Sequence, residues 1–281
     1  MAAAFGLWEL RFPSSRAVDE DEDEEDEMTP EKEVELTPSW LWSPKIEEDC
    51  GKSSSNVFEC STLVLGVDKV ATTFLDAYLL SGGNSEVVGV VSEKHDNKDF
   101  SSALKPNTKE KVCIVHRLTQ NQDTLVCQCL THVDENIAFF WTKKLFEQVK
   151  PSKVIILTSA PVCEYNTSEP DSLPSDFLKV LHTTEWTKDG RALPCGFVET
   201  PNTVRGLAAA ILSHSQVFHI PAALYVCYTA TRQLDVQAVK TFGVLLESEE
   251  FHVLKKSPSE ETTKVLKSLG IGRSSYDHLY L

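Results

Sequence analysis

Five residues in the middle of this chain have the right types to bind a metal. Cys113 and His116 share one apolar run, and Cys127, Cys129 and His132 lie on or just past the next. If the two runs pair as strands, thiolates and imidazoles could meet around zinc. The spacings, C-x-x-H and C-x-C-x-x-H, are not the repeated C-x-x-C of zinc folds. Cys127 and Cys129 also share a strand face, where small apolar residues pack well. Packing is therefore the favoured reading and zinc the alternative, so no metal is expected. Cys163 could act as a nucleophile with a distant histidine, although a lone loop cysteine usually does nothing. His214 and His219 flank the end of an apolar helical pattern, where imidazoles more often partner the helix C-terminus than catalyse.

The motifs of nucleotide and acyl chemistry are missing. After the first strand-like run comes a lone Gly66, not G-x-G-x-x-G, and neither G-x-x-x-x-G-K-[ST] nor G-x-S-x-G occurs. No cofactor is expected on these grounds. The remaining signal is the terminus, His278-Leu279-Tyr280-Leu281. It offers an apolar side chain, an aromatic ring with a hydroxyl, and a carboxylate that a lysine or backbone nest can hold.

The elements that must position these residues follow from periodicity. Pro201 and Asn202, the latter as N-cap, open a helix carrying Val204, Leu207, Ala208, Ile211 and Leu212 on one face. Ala222 to Thr229 is nearly unbroken apolar sequence, as in a strand covered on both sides. Asp235 caps a helix with Val236, Val239, Phe242 and Leu246. Earlier, Ser61–Val67 predicts a strand, Asp68 caps a helix through Phe74 and Tyr78, and 81–84 ends it. Strands are expected at Glu86–Val91, Lys111–Leu118 and Thr124–Leu130, with a polar loop over Lys94–Pro106. Asp134 starts a helix with Ile137, Trp141, Leu145 and Val149, closed at Lys150-Pro151. Lys153–Thr158 is a buried strand. Ser175 and Asp176 start a short helix with Phe177, Leu178 and Leu181, and 183–200 is irregular. Phe251–Leu254 is a short edge strand, and Ser259 caps a last helix stopped by Gly270. Helices alternating with strands predict one α/β domain, a mostly parallel central sheet flanked by helices.

Three regions result: a disordered acidic tail over 1–57, the folded domain over 58–270, and a flexible end over 271–281. The chain has 281 residues and a formal charge of −15. Asp19–Glu27 is acidic at all nine positions, leaving −6 elsewhere. With no basic stripe, phosphate-backbone binding is not expected, so no nucleic acid is assigned as partner. No apolar run reaches bilayer length, so no membrane insertion is expected. The eight cysteines are read as reduced thiols of a cytosolic or nuclear protein. Trp40-Leu41-Trp42, inside the tail, either docks on the chain's own domain or serves as a motif for another protein.

Scattered identities give the sequence a family likeness. They include Ile156-Leu157-Thr158, Tyr165 with Thr167-Ser168-Glu169, Ser172-Leu173-Pro174-Ser175, Pro201-Asn202, Ile220-Pro221-Ala222, Leu224-Tyr225, Cys227-Tyr228-Thr229 and Cys127-Gln128-Cys129, with the acidic tract near the start. Together they resemble the proteasome assembly chaperone family from about Ser61 onward. The resemblance implies a nucleoside-phosphorylase-like α/β fold without that catalysis. It implies a heterodimer with proteasome assembly chaperone 2 that binds the 20S α-subunit ring, promotes its formation and prevents unproductive ring dimers. It implies a cytoplasmic protein, with nuclear or endoplasmic-reticulum-associated pools as further expectations. Leu279, Tyr280 and Leu281 match, in register, a hydrophobic-Tyr-X terminus that enters pockets between α subunits. Two rival readings stand beside it: an α/β enzyme acting on nucleosides or a related small molecule, and an acidic adaptor that binds through its N-terminal tract.

Overall fold

Alternating apolar residues build an eight-stranded sheet with a hydrophobic core on each face. A computed structural model describes residues 38–51, 57–92, 100–104, 112–168, 173–189, 193–231, 234–248, 251 and 262–267. The strands are β1 (Ser39–Trp42), β2 (Phe58–Gly66), β3 (Ser85–Ser92), β4 (Val112–Leu118), β5 (Thr124–Cys129), β6 (Val149–Pro161), β7 (Phe177–His182) and β8 (Ala222–Thr229). Their order across the sheet is β1-β3-β4-β5-β2-β6-β8-β7. The four central strands, β5-β2-β6-β8, run parallel, as the apolar runs predict. The strands outside them pair antiparallel.

The helices are α1 (Pro44–Gly51), α2 (Lys69–Leu75, continued as a π-turn over Asp76–Leu80), α3 (Phe100–Ala103), α4 (Glu135–Gln148), α5 (Gly206–Val217) and α6 (Val236–Thr241, continued as a 3-10 turn over Phe242–Glu247). Residues Leu63 and Leu65 of β2, Val154 and Ile156 of β6, and Leu224 and Val226 of β8 face one core with Trp141, Leu145, Leu207 and Ile211 of α4 and α5. Their neighbours Val64, Ile155, Leu157 and Tyr225 face the other core with Phe74 of α2, and Val239 and Phe242 at α6. That division is the period-2 alternation of a strand covered on both faces.

Gly66 answers a packing need. A Cβ there would stand 2.8 Å from Leu75 Cδ1 and 3.1 Å from the Thr72 nitrogen, so α2 can lie against β2 only over a bare backbone.

The structure departs from expectation in five places. Order begins inside the expected acidic tail: Trp40 and Trp42 form edge strand β1 on β3, and α1 follows with Ile46 fully buried. The Trp42 ring lies 5.2 Å from Trp40 and 5.8 Å from Phe58, and its indole N–H donates to Gln148 Oε1 at 3.2 Å. The tryptophans thus dock on their own domain. Within the expected loop 94–106, α3 forms a single turn. Residues 177–182 are a strand, not a helix. Phe177 and Leu181 face one core while Leu178 and Val180 face the other, so their apolar spacing satisfied two periods at once. Helix α5 begins at Gly206 with Arg205 as N-cap, four residues past Asn202. Last, β6 starts directly at Val149 and takes in Lys150 and Pro151.

Residue 251 is helical and buried, while 252–254 of the expected edge strand lie outside the described residues. So do Ser259, Gly270 and the C-terminal segment.

Candidate functional site

A cleft of about 690 Å³ opens at the carboxyl ends of β2, β6 and β8, where open α/β sheets hold their ligands. Its walls include Asp68, His132, Glu135, Ser159, Cys163, Glu164 and Arg205, and helices α4 and α5 begin at its edge. The geometric half of the enzyme reading is therefore present. The chemical half is weaker, because the carboxylate nearest the strand ends is already committed. Asp68 Oδ1 accepts from the backbone N–H groups of Val70 at 2.9 Å and Ala71 at 3.0 Å. Oδ2 accepts from the Thr158 hydroxyl at 3.0 Å and from the Ser159 N–H. Four donors fill the acceptor capacity of one carboxylate. Asp68 therefore fastens the start of α2 to the end of β6 and has little left for a substrate proton. Cys163 and His132 are exposed at the rim, and among the described residues no hydrogen bond joins Cys163 to a histidine.

Asn202 helps shape the same region. Its Oδ1 accepts from the Asn166 N–H at 2.6 Å, and its Nδ2 donates to the carbonyls of Asn166 at 2.9 Å and Glu199 at 2.8 Å. The residue expected to cap α5 instead ties together two loops beside the cleft.

The sheet separates the cysteine and histidine cluster. Cys113 lies directly opposite Cys129, and together with Cys127 they are buried in the core beneath α4 and α5. His116 falls on the alternate face of β4, with Leu118 and with Val126 opposite it. Among the described residues no group of three or more His, Cys, Asp or Glu is placed to hold a metal. Cys60, Cys113, Cys127, Cys129, Cys163, Cys195 and Cys227 are free thiols. Burial pushes the thiol of Cys60 up to about 12, and the neighbouring thiols of Cys113 and Cys127, with burial behind them, hold Cys129 far above the ordinary thiol range. These thiols pack; they are poor nucleophiles.

Burial also lowers the pKa of His116 from 6.5 to about 4, partly offset by the nearby Gln128 amide. Between those two values the unfolded chain binds a proton that the folded chain refuses. Stability from this residue is thus fully present above pH 6.5 and is lost as pH falls towards 4. By pH 5 the loss should reach about 2 kcal/mol. Urea unfolding at pH 7.5 and pH 5 should therefore show a drop in His116→Gln smaller than the wild-type drop by about that amount.

A second feature lies where α4 and α5 end. The His214 ring stacks between Phe146 (centroids 4.2 Å apart) and Phe218 (4.3 Å), and burial lowers its pKa. His219 adopts a positive φ of 55° and sets Nδ1 3.4 Å from Glu185 Oε1. Neither histidine sits in the cleft. Large apolar side chains stay exposed on the same two helices: Phe139 (66% exposed), and Val217 and Phe218 at the end of α5. The periodicity argument missed Phe139 because it falls off the Ile137–Trp141–Leu145 stripe; that offset was the available signal. Leu279, Tyr280 and Leu281 lie outside the described residues.

Comparison with known proteins resolves the choice of family. The whole chain, residues 1–281, matches the family model described as proteasome assembly chaperone 4. This chain belongs to the proteasome assembly chaperone family. Proteins named proteasome assembly chaperone 1 are similar along most of its length. The one from Nematostella vectensis is 45% identical over 242 residues, covering 86% of this chain and 93% of that protein. The one from Homo sapiens is 32% identical over 292 residues, covering 100% of both. Among solved structures, Pyrococcus furiosus PbaB, an archaeal proteasome activator, superposes with a TM-score of 0.57 at 9% identity, over 85% of this chain and 99% of that one. Pyrococcus furiosus PbaA, an archaeal homolog of proteasome-assembly chaperone, gives 0.56 at 9% identity, over 85% and 96%. At that identity the structural likeness establishes the fold of this family member, a single α/β domain. No helix among the described residues is long and apolar enough to cross a membrane.

Proposed function

We propose that this member of the family is a cytoplasmic, non-catalytic chaperone of the 20S proteasome. In this reading it pairs with proteasome assembly chaperone 2, binds the α-subunit ring, promotes ring formation and keeps two rings from dimerising unproductively. The observation that carries the reading is the match to the family along the entire chain, 1–281. A committed Asp68 at the strand ends and buried, high-pKa thiols support a binding role over a catalytic one.

The mechanism needs no bond to be made or broken. A folded domain supplies one contact with the ring, and Leu279-Tyr280-Leu281 supply a second by entering a pocket between neighbouring α subunits. Because the two are covalently linked, the second contact forms at a high effective concentration. Each can then be weak enough to release when the ring matures.

Reconstitution tests this directly. Free α subunits incubated with the chain and its partner should yield single rings carrying both chaperones on native gels and by mass photometry. Without the pair, ring dimers should accumulate. An unchanged distribution of ring species would refute the reading. The cleft keeps the enzyme alternative concrete, and thermal shift with nucleosides plus phosphate addresses it: no stabilisation is expected.

A further inference from the structure

The last described stretch of the chain, 262–267, is helical and is fastened to the body of the domain. Thr262 is 5% exposed, and its hydroxyl donates to the Ala77 carbonyl at 2.8 Å, 185 residues away in sequence. That carbonyl lies in the π-turn that ends α2, where a helix runs out of backbone donors for its final carbonyls. Ser81, which closes the turn, brings a second hydroxyl to the same carbonyl at 2.9 Å. Leu266 comes four residues after Thr262, on the same side of a helical turn, and packs on the core that holds Phe74, Leu79 and Phe242. Thr263, Lys264 and Lys267 are exposed. The stretch thus has one polar and one apolar attachment on its inner side. The nearest described residue before it in the chain is Phe251, fully buried in the same core. After it come 14 residues, 268–281, with Leu279, Tyr280 and Leu281 at their end.

The length of chain between a fixed base and a binding motif sets the concentration at which the motif meets its pocket. Once the tether can span the distance, that concentration falls as roughly the −3/2 power of its length. From a base at Lys267 the tether has 14 residues and spans at most about 50 Å. With 262–267 released, the base retreats to Phe251 and the tether grows to 30 residues, 252–281. The motif would then be about threefold more dilute at its pocket. We infer that 262–267 is the base from which the C-terminal motif is presented to the α ring, with Thr262 and Leu266 as positioning residues that fix the length of the tether. The inference rests on the function proposed above, in which Leu279-Tyr280-Leu281 enter the ring. It adds where on the domain that arm is held.

The test titrates purified α rings with the full-length chain paired with proteasome assembly chaperone 2. The double variant Thr262→Asp, Leu266→Asp should release the stretch and lower ring affinity about threefold. Thr262→Ser with Leu266→Met keeps the hydroxyl and the apolar bulk and should bind as wild type. An insertion of about 16 Gly and Ser residues after Ser268 lengthens the tether equally with the core untouched, and should also cost about threefold, whether or not the double variant folds well. In a chain lacking Leu279, Tyr280 and Leu281, neither change should weaken binding further. Amide exchange over 262–267 should be slow in wild type and fast in the double variant. Affinity of the insertion variant within about 1.5-fold of wild type, or above it, overturns the inference, because the tether would not start from this base. So does an equal loss from the double variant in the truncated chain, which would make 262–267 part of the bound surface. So does fast exchange over 262–267 in wild type. If truncation alone leaves ring binding unchanged, the functional reading of the terminus fails, and this inference fails with it.

Discussion

Truncating the full-length chain by Leu279, Tyr280 and Leu281 is expected to reduce its recovery on α-subunit rings at least tenfold, with pairing to proteasome assembly chaperone 2 unchanged. The magnitude follows from linkage. A second contact on the same molecule sees an effective concentration near the millimolar range, and losing it forfeits an avidity gain of about 10²–10⁴. Three lesser changes separate the contributions of the motif. Tyr280→Ala removes ring and hydroxyl, Tyr280→Phe removes the hydroxyl alone, and a glycine added after Leu281 displaces the carboxylate from its register. All three should weaken ring capture, with Tyr280→Phe the mildest because the apolar ring survives. Equal capture by truncated and full-length pairs, measured by pull-down with purified rings, would take the terminus out of the mechanism. The body of the domain would then bind alone.

The largest loss of stability is expected at Phe74. Its side chain is fully buried, with ring centroids 5.1 Å from Tyr78, 5.4 Å from Phe242 and 6.4 Å from Phe251. It joins its own helix, α2, to Phe242 at α6 and to Phe251, both far from it in sequence. Phe74→Ala removes the ring and leaves a cavity that a packed sheet face cannot fill, costing about 3–5 kcal/mol. A domain of ordinary stability has about 5–15 kcal/mol in total, so the variant should unfold at a much lower urea concentration. A loss under about 1 kcal/mol would mean that this core layer is loosely packed and that α2 is held chiefly by the Asp68 staple.

Much of this architecture was legible in the sequence wherever one residue type had one physical use. The apolar runs Val154–Leu157 and Ala222–Tyr228 could only be strands covered on both faces, and they are. Asp68 and Asp235 sit immediately before helical periods and cap them through their side chains. The misreadings arose where a local pattern served two purposes. Phe177, Leu178 and Leu181 fit a helical face, but β8 offers an edge there, and pairing with that edge satisfies the backbone of 177–182. Asn202 looked like a cap, yet its amide is used by Asn166 and Glu199, which lie outside any helix window. Trp40 and Trp42 were read as candidates for docking on their own domain, and they do so, but no period revealed that they form a strand. Their docking depends on Phe58, Gln148 and strand β3, all distant in sequence.

The candidate sites were legible to different degrees. The cysteine and histidine spacing suggested a cluster, but alternation of side chains along β4 sends His116 and Cys113 to opposite faces, which is fixed once the strands pair. The exposed aromatics of α4 and α5 escaped notice because helical periodicity finds the buried stripe and is silent about the other side. The terminal motif carried meaning only through the family likeness, since three residues at a chain end specify no fold and little chemistry.

The central claim is that this polypeptide works by holding proteasome subunits before the particle is complete. Tagging it at its N-terminus in its own cells, then sizing the captured complexes and identifying their subunits, tests that claim most directly. The expected result is recovery with proteasome assembly chaperone 2 and α subunits in particles smaller than the finished 20S core, with mature cores depleted. Recovery free of α subunits, or only on finished cores, would contradict it.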